Sequence, residues 1–181
     1  FGGTSVGQPE RMRQVSELIT QPDEPVITVL SALSGTTNAL VTIGDAMAAG
    51  DRDLAKKNID QLEAHYQSFI AELLKKEKTL AKAKNIVSEH FEFLNIILKI
   101  SFSEALSKDI LAQGELLSTK IFSVYLEENG IDHALLPALE FMSIDANDEP
   151  QVSSIKAKLA NLLKQHSGKK LFITQGYICR N

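Results

Sequence analysis

Small donor residues gather in three glycine-bearing segments of this 181-residue chain: FGGTSVG (1–7), SALSGTTN (31–38) and TQGYICRN (174–181). Gly2 and Gly3 lack Cβ atoms, so their amides can approach an anion closely, and Thr4 and Ser5 add hydroxyl donors ahead of a helix start. Together they outline a phosphate cradle. The spacing, Gly-Gly-x-x-x-Gly, matches neither the dinucleotide pattern G-x-G-x-x-G nor the P-loop pattern G-x-x-x-x-G-K-[ST]. A plain glycine turn between a strand and a helix accounts for it equally well.

Ser34, Thr36, Thr37 and Asn38 form a second cluster. Such side chains ahead of an apolar helix cap its N-terminus, with Thr37 or Asn38 best placed to do so, and the same hydroxyls can serve a ligand. Glu115 follows Gly114 in what reads as the first turn of a helix. There the macrodipole favours a carboxylate, and a substrate ammonium group would favour it too.

Other chemistry-bearing residues point to structural roles. His65, His90, His133 and His166 lack metal-ligand spacing, and His90 lies on an apolar stripe. No metal site is expected. Cys179 is the single cysteine, which excludes an internal disulfide and reads as a structural thiol. Lys75, Lys76, Lys78, Lys82 and Lys84 read as a solvated turn.

The elements that must position these groups follow from periodicity. Met12, Val15, Leu18 and Ile19 recur at helical spacing after Pro9, and VITVL (26–30) is a β-branched run expected in a parallel strand covered on both faces. Leu40, Ile43 and Met47 share the face of a helix that turns at Gly50. From Asp53 to about Asn129 no strand interrupts. One stripe holds Leu62, Tyr66, Phe69 and Leu73, another Ile86, His90, Phe91, Leu94, Ile97 and Leu98, with a helical hairpin turning at KKEKTLAKAK (75–84).

The stretch 114–130 then reads as a helix stopped by Gly130, HALLPA as a short strand, residues from Val152 as a helix ended by Gly168, and KLFITQG (170–176) as a last strand. Alternating strands and helices predict an α/β fold with a mainly parallel sheet and helices on its faces. Ligands of such sheets bind beyond the carboxyl ends of the strands, where all three glycine segments fall.

Composition narrows the partners. A 44% hydrophobic, 23% charged chain of net charge −4 is that of an ordinary globular domain without the basic excess that nucleic acid demands. The longest apolar runs fall well short of the roughly 18 residues of a membrane-spanning helix. No secretory or transit peptide is recognisable at Phe1, so a soluble, cytoplasmic protein is expected.

FGGTSVG, LSALSGTTNAL, GELLSTKIF and FITQGYI, in this order, closely resemble aspartokinases, members of the amino acid kinase family. The resemblance runs the length of the chain and implies the three-layer α/β/α amino acid kinase fold, here with a helical insertion at about 53–113. It implies phosphorylation of the L-aspartate side-chain carboxylate by ATP with Mg, giving 4-phospho-L-aspartate for lysine, threonine and methionine synthesis. By similarity, Phe1, Gly2, Gly3 and Thr4 would hold ATP phosphates, while Thr37, Glu115 and Ser31 would hold aspartate, with Glu115 on its α-ammonium group. Feedback by an end-product amino acid and homo-oligomer formation are usual in the family.

Against the family pattern, the lysine expected before Phe1 is absent, as are the glycine-rich stretch expected after Asn181, the nucleotide-binding half and the regulatory ACT domains. The resemblance therefore implies the amino-acid side of a catalytic domain, inactive as an isolated piece. Two rival readings are a related kinase acting on glutamate, acetylglutamate or a nucleotide, and a non-catalytic amino-acid-binding or assembly module using 53–129 as its interaction surface.

Overall fold

The computed structural model describes residues 1–100 and 102–180, so Asn181 of the third glycine segment lies outside the described residues. Among them are three strands, β1 (Val26–Leu30), β2 (Ala134–Leu136) and β3 (Leu171–Gln175). They form a wholly parallel sheet in the order β1-β3-β2, with Val26 opposite Leu171 and Ala134 opposite Phe172. The α/β expectation holds.

Eight helices accompany the sheet: α1 (Gly3–Val6), α2 (Pro9–Ile19), α3 (Thr36–Ala48), α4 (Arg52–Leu73), α5 (Glu77–Ile97), α6 (Glu104–Glu128), α7 (Ala138–Phe141) and α8 (Val152–Gln165). Pro9 opens α2, where its missing N–H removes no helical bond. Gly130 sits past the end of α6 at φ +69°, the left-handed turn that releases the chain towards β2. The helical turn α1 lies within FGGTSVG, which had read as a loop.

One sheet face packs on the helices through Leu30, Leu171 and Ile173, and the other meets α7 and α8 through Leu136 and Phe172. Every residue of β3 is buried, as befits the central strand. For β1 the expectation of cover on both faces is overturned. Ile27 and Val29 are 42% and 47% exposed, because β1 borders the described sheet and the α7–α8 layer covers only its other side.

Between β1 and β2 the chain builds four helices, α3 to α6, packed in a closed ring in which each touches two others. Their shared core holds Leu40, Ile59, Tyr66, Ile70, Phe91 and Ile121, each such side chain contributing roughly 1.5–3 kcal/mol on burial. The lysine-rich turn is much shorter than 75–84. Helix α5 starts at Glu77, because the Glu128 carboxylate at the far end of α6 accepts from the amides of Lys75 (2.9 Å) and Lys76 (3.0 Å) and supplies a cap that local sequence lacks. The five lysines themselves are exposed, as expected.

Candidate functional site

The loop after β1 is built by glycine and by two distant helices. Gly35, at φ +83°, is the N-cap residue of α3 and leaves Thr36 and Thr37 in its first turn with no side-chain cap. This corrects the capping assignment to Thr37 or Asn38, which lie inside the helix. Thr36 is buried and pairs with the Tyr66 hydroxyl at 3.0 Å, whereas Thr37 is exposed.

The first glycine segment lies against this loop. The Phe1 amine donates to the Val29 carbonyl at 2.7 Å and the Ser31 amide donates to the Phe1 carbonyl at 3.1 Å, so Phe1 extends the sheet beside β1. A Cβ on Gly3 would stand 3.0 Å from the Ala32 carbonyl, so glycine permits this close approach; a Cβ on Gly2 would meet nothing within 4 Å. Packing therefore does not require glycine at position 2.

Glu115 arrives from α6. It lies in the middle of that helix, about three turns from the start, rather than in a first turn, so the macrodipole argument for it fails. Gly114 was misread as a helix start for the same reason. A Cβ there would fall 2.8 Å from the Ala32 Cβ and 3.2 Å from Thr36 Cγ2, so this glycine lets α6 press onto the loop and carry Glu115 with it. One turn on, the Ser118 hydroxyl donates to the Ser31 carbonyl at 2.7 Å.

The result is a pocket of about 560 Å³ beyond the carboxyl ends of β1 and β3 whose lining includes Gly3, Thr4, Ser31, Thr37, Glu115 and Tyr177. Five of the seven residues singled out from sequence thus meet in one concavity. Phe1 and Gly2 adjoin it in the chain without lining it, and the backbone of Phe1 is already engaged with β1.

Glu115 is 4% exposed and forms no ion pair among the described residues. Burial raises its pKa, while the amides of Glu115 itself and of Ala32 act in the opposite sense. A carboxylate so placed gains from a cation brought by a ligand. The neighbouring hydroxyls and glycine amides offer donors to anions.

Sequence reasoning did not single out Tyr66, Gly114, Ser118 and Tyr177 as site-forming. Tyr66 had a signal, since a phenol on an otherwise apolar stripe needs a buried partner for its hydroxyl. Tyr177 is 85% exposed with φ +65°, a strained backbone that its side chain gave no sign of.

Outside the pocket, burial and the neighbouring Lys120 ammonium favour the neutral form of His90, which also pairs with Gln113 in the helical core, and Cys179 is a half-buried free thiol. No group of three or more His, Cys, Asp or Glu that could hold a metal occurs among the described residues. No described helix is long and apolar enough to cross a membrane.

Around a parallel sheet with a glycine-bearing loop at its carboxyl ends, the sequence profile of the amino acid kinase family matches residues 1–181. The chain belongs to that family. Within it the similarity is to aspartokinases: 34% identity to aspartokinase 3, chloroplastic, of Arabidopsis thaliana over 93% of this chain, and 31% to bifunctional aspartokinase/homoserine dehydrogenase 2 of Escherichia coli (strain K12) over 100%. The chain spans 30% and 22% of those two proteins.

Among solved structures, Escherichia coli aspartokinase III in complex with aspartate and ADP matches all of this chain with a TM-score of 0.80 at 23% identity. The complex of that enzyme with lysine and aspartate gives a TM-score of 0.81, also at 23%. The chain covers 40% and 41% of those structures, and the likeness establishes a common fold.

Proposed function

We propose that these residues form the amino-acid side of an aspartokinase that transfers the γ-phosphoryl group of ATP to the side-chain carboxylate of L-aspartate. The observation that carries this reading is Glu115, buried with no ion pair among the described residues, in a pocket whose lining also brings hydroxyls of Thr4, Ser31, Ser34 and Thr37 and the glycines Gly3 and Gly35 beside Ala32 and Leu33. That arrangement suits a ligand with one ammonium and two carboxylate groups. The similarity to named aspartokinases supports the same substrate.

Glu115 binds the α-ammonium group and fixes which end of the substrate points inward. Thr37 and Ser31 orient the carboxylates, and the Gly2–Gly3 backbone with Thr4 receives the nucleotide phosphates. Phe1 sets the direction of that glycine pair through its bonds with Val29 in β1 and with Ser31 just after it. Magnesium, bound to the nucleotide, would neutralise phosphate charge.

A side-chain carboxylate oxygen attacks the γ-phosphorus, the new O–P bond forms as the bond to the bridging oxygen breaks, and ADP leaves with that electron pair. The substrate carries its own nucleophile, so positioning and charge compensation do most of the work. The reaction belongs to the protein at its full encoded length, and the 181 residues alone are expected to be inactive. Regulation by an end-product amino acid, a homo-oligomeric state and a cytoplasmic setting complete the reading.

A hydroxamate assay with ATP and magnesium tests it. Full-length protein should form aspartyl hydroxamate with L-aspartate and little product with glutamate or acetylglutamate. Activity on one of those acceptors with none on aspartate would make it a different amino acid kinase. Binding of aspartate without any turnover would make it a binding module.

A further inference from the structure

We propose that Tyr66, carried by the hairpin of α4 and α5, is a positioning residue of the amino-acid subsite that pins the loop 31–37 from the core side. This rests on the reading that the pocket takes aspartate. Tyr66 is fully buried, and its hydroxyl pairs with Thr36 Oγ1 at 3.0 Å. Burial above all, with the nearby charge of Glu115 in addition, raises the pKa of this phenol, so the hydroxyl stands between the loop and the acid.

Packing alone does not require that oxygen. The ring is held by Phe91, at 6.0 Å between centroids, and phenylalanine would fill the same place. Only the hydroxyl reaches Thr36, and Thr36 precedes Thr37 in the first turn of α3. The space beside the pair is about 10 Å³ and bordered largely by apolar side chains, so a water taking the place of the phenol oxygen would find few polar partners besides Thr36. Loss of the oxygen therefore leaves Thr36 free to change rotamer and moves Thr37 with it.

The hairpin thus does more than fill volume. It holds the loop that meets the amino acid, while the nucleotide phosphates lie against the other segment, Gly2–Thr4. Removing the hydroxyl should weaken aspartate and spare ATP.

The test uses the full-length protein and measures KM for both substrates in the wild type and in Tyr66→Phe, Thr36→Val, Thr36→Ser and the Tyr66→Phe/Thr36→Val double variant. Tyr66→Phe and Thr36→Val should each raise the aspartate KM about fivefold, the worth of one net hydrogen bond, with the ATP KM unchanged. The double variant should match the singles, and Thr36→Ser, which keeps the hydroxyl, should behave as wild type.

An unchanged aspartate KM in Tyr66→Phe, or equal loss for both substrates, would overturn the inference. Should Tyr66→Phe not fold, equal aspartate KM values in Thr36→Val and Thr36→Ser would overturn it as surely. Aspartate use that is sensitive to Glu115→Gln but not to Tyr66→Phe sinks this inference alone, whereas a wild type indifferent to aspartate sinks the underlying reading with it.

Discussion

The Ser118 hydroxyl, buried on α6, donates to the Ser31 carbonyl at the exit of β1 across 2.7 Å. It also lies 3.2 Å from the carbonyl of Glu115 one turn back, so a single side chain ties the strand end to the helical turn that carries the acid. The separation of Ser31 from Glu115 is therefore set by α6 rather than by the loop.

Replacing Ser118 with Ala removes the donor and leaves the Ser31 carbonyl short of a partner. We expect a stability loss of about 1–2 kcal/mol, read from the urea unfolding midpoint at constant slope, together with weaker aspartate binding. A variant as stable as wild type would mean that solvent satisfies that carbonyl and that α6 needs no such tie.

At Gly114 two effects oppose each other. Alanine gains about 1 kcal/mol of helix propensity, yet its Cβ would sit 2.8 Å from the Ala32 Cβ, and relieving that overlap costs about 1–3 kcal/mol. Ala32 belongs to backbone fixed by β1, so the overlap should win. Gly114→Ala is expected to lower the melting temperature and, by pushing α6 off the loop, to reduce aspartate affinity; a higher melting temperature would show that α6 shifts freely.

Gly114 also shows where sequence reading runs out. VITVL, the Pro9 helix, the stop at Gly130 and the hairpin stripes were legible because each depends on residues near in the chain. Gly114 read as a helix start because glycine is poor in helix interiors, and only a neighbour eighty-two positions away, Ala32, explains it. In the same way the start of α5 depends on Glu128 and the orientation of Thr36 on Tyr66. The pocket residues were legible only in part: glycine, hydroxyl and carboxylate groups beyond parallel strands suit a turn or a helix cap as well as an anion, and it was the resemblance to aspartokinases that tied them to one ligand.

His90 gives the fold a pH dependence. Burial lowers its pKa to about 4, helped by the neighbouring Lys120 ammonium and opposed by Gln113 and Glu89. Between pH 6.5 and about 4 the unfolded chain binds a proton that the folded chain does not, so stability falls as pH falls through that window. The full effect is about 3 kcal/mol. Unfolding midpoints measured from pH 7 to 4.5 should drop steeply in wild type and less so in His90→Gln; identical slopes would place the acid sensitivity elsewhere.

Glu115 should show opposite effects on stability and binding. Its folded pKa is raised by burial, so the folded chain holds a proton more tightly than the unfolded one, and stability falls as pH rises through the raised value. Once ionised, a Glu115 without a partner cation is a cost to the ligand-free fold, which an aspartate ammonium group would offset. Glu115→Gln removes both the cost and the partner. We therefore expect the variant to melt higher than wild type without ligand and to lose the upward shift that millimolar aspartate gives the wild type. A variant that melts lower and still responds to aspartate would show that the carboxylate is structural and that the ammonium group is held elsewhere.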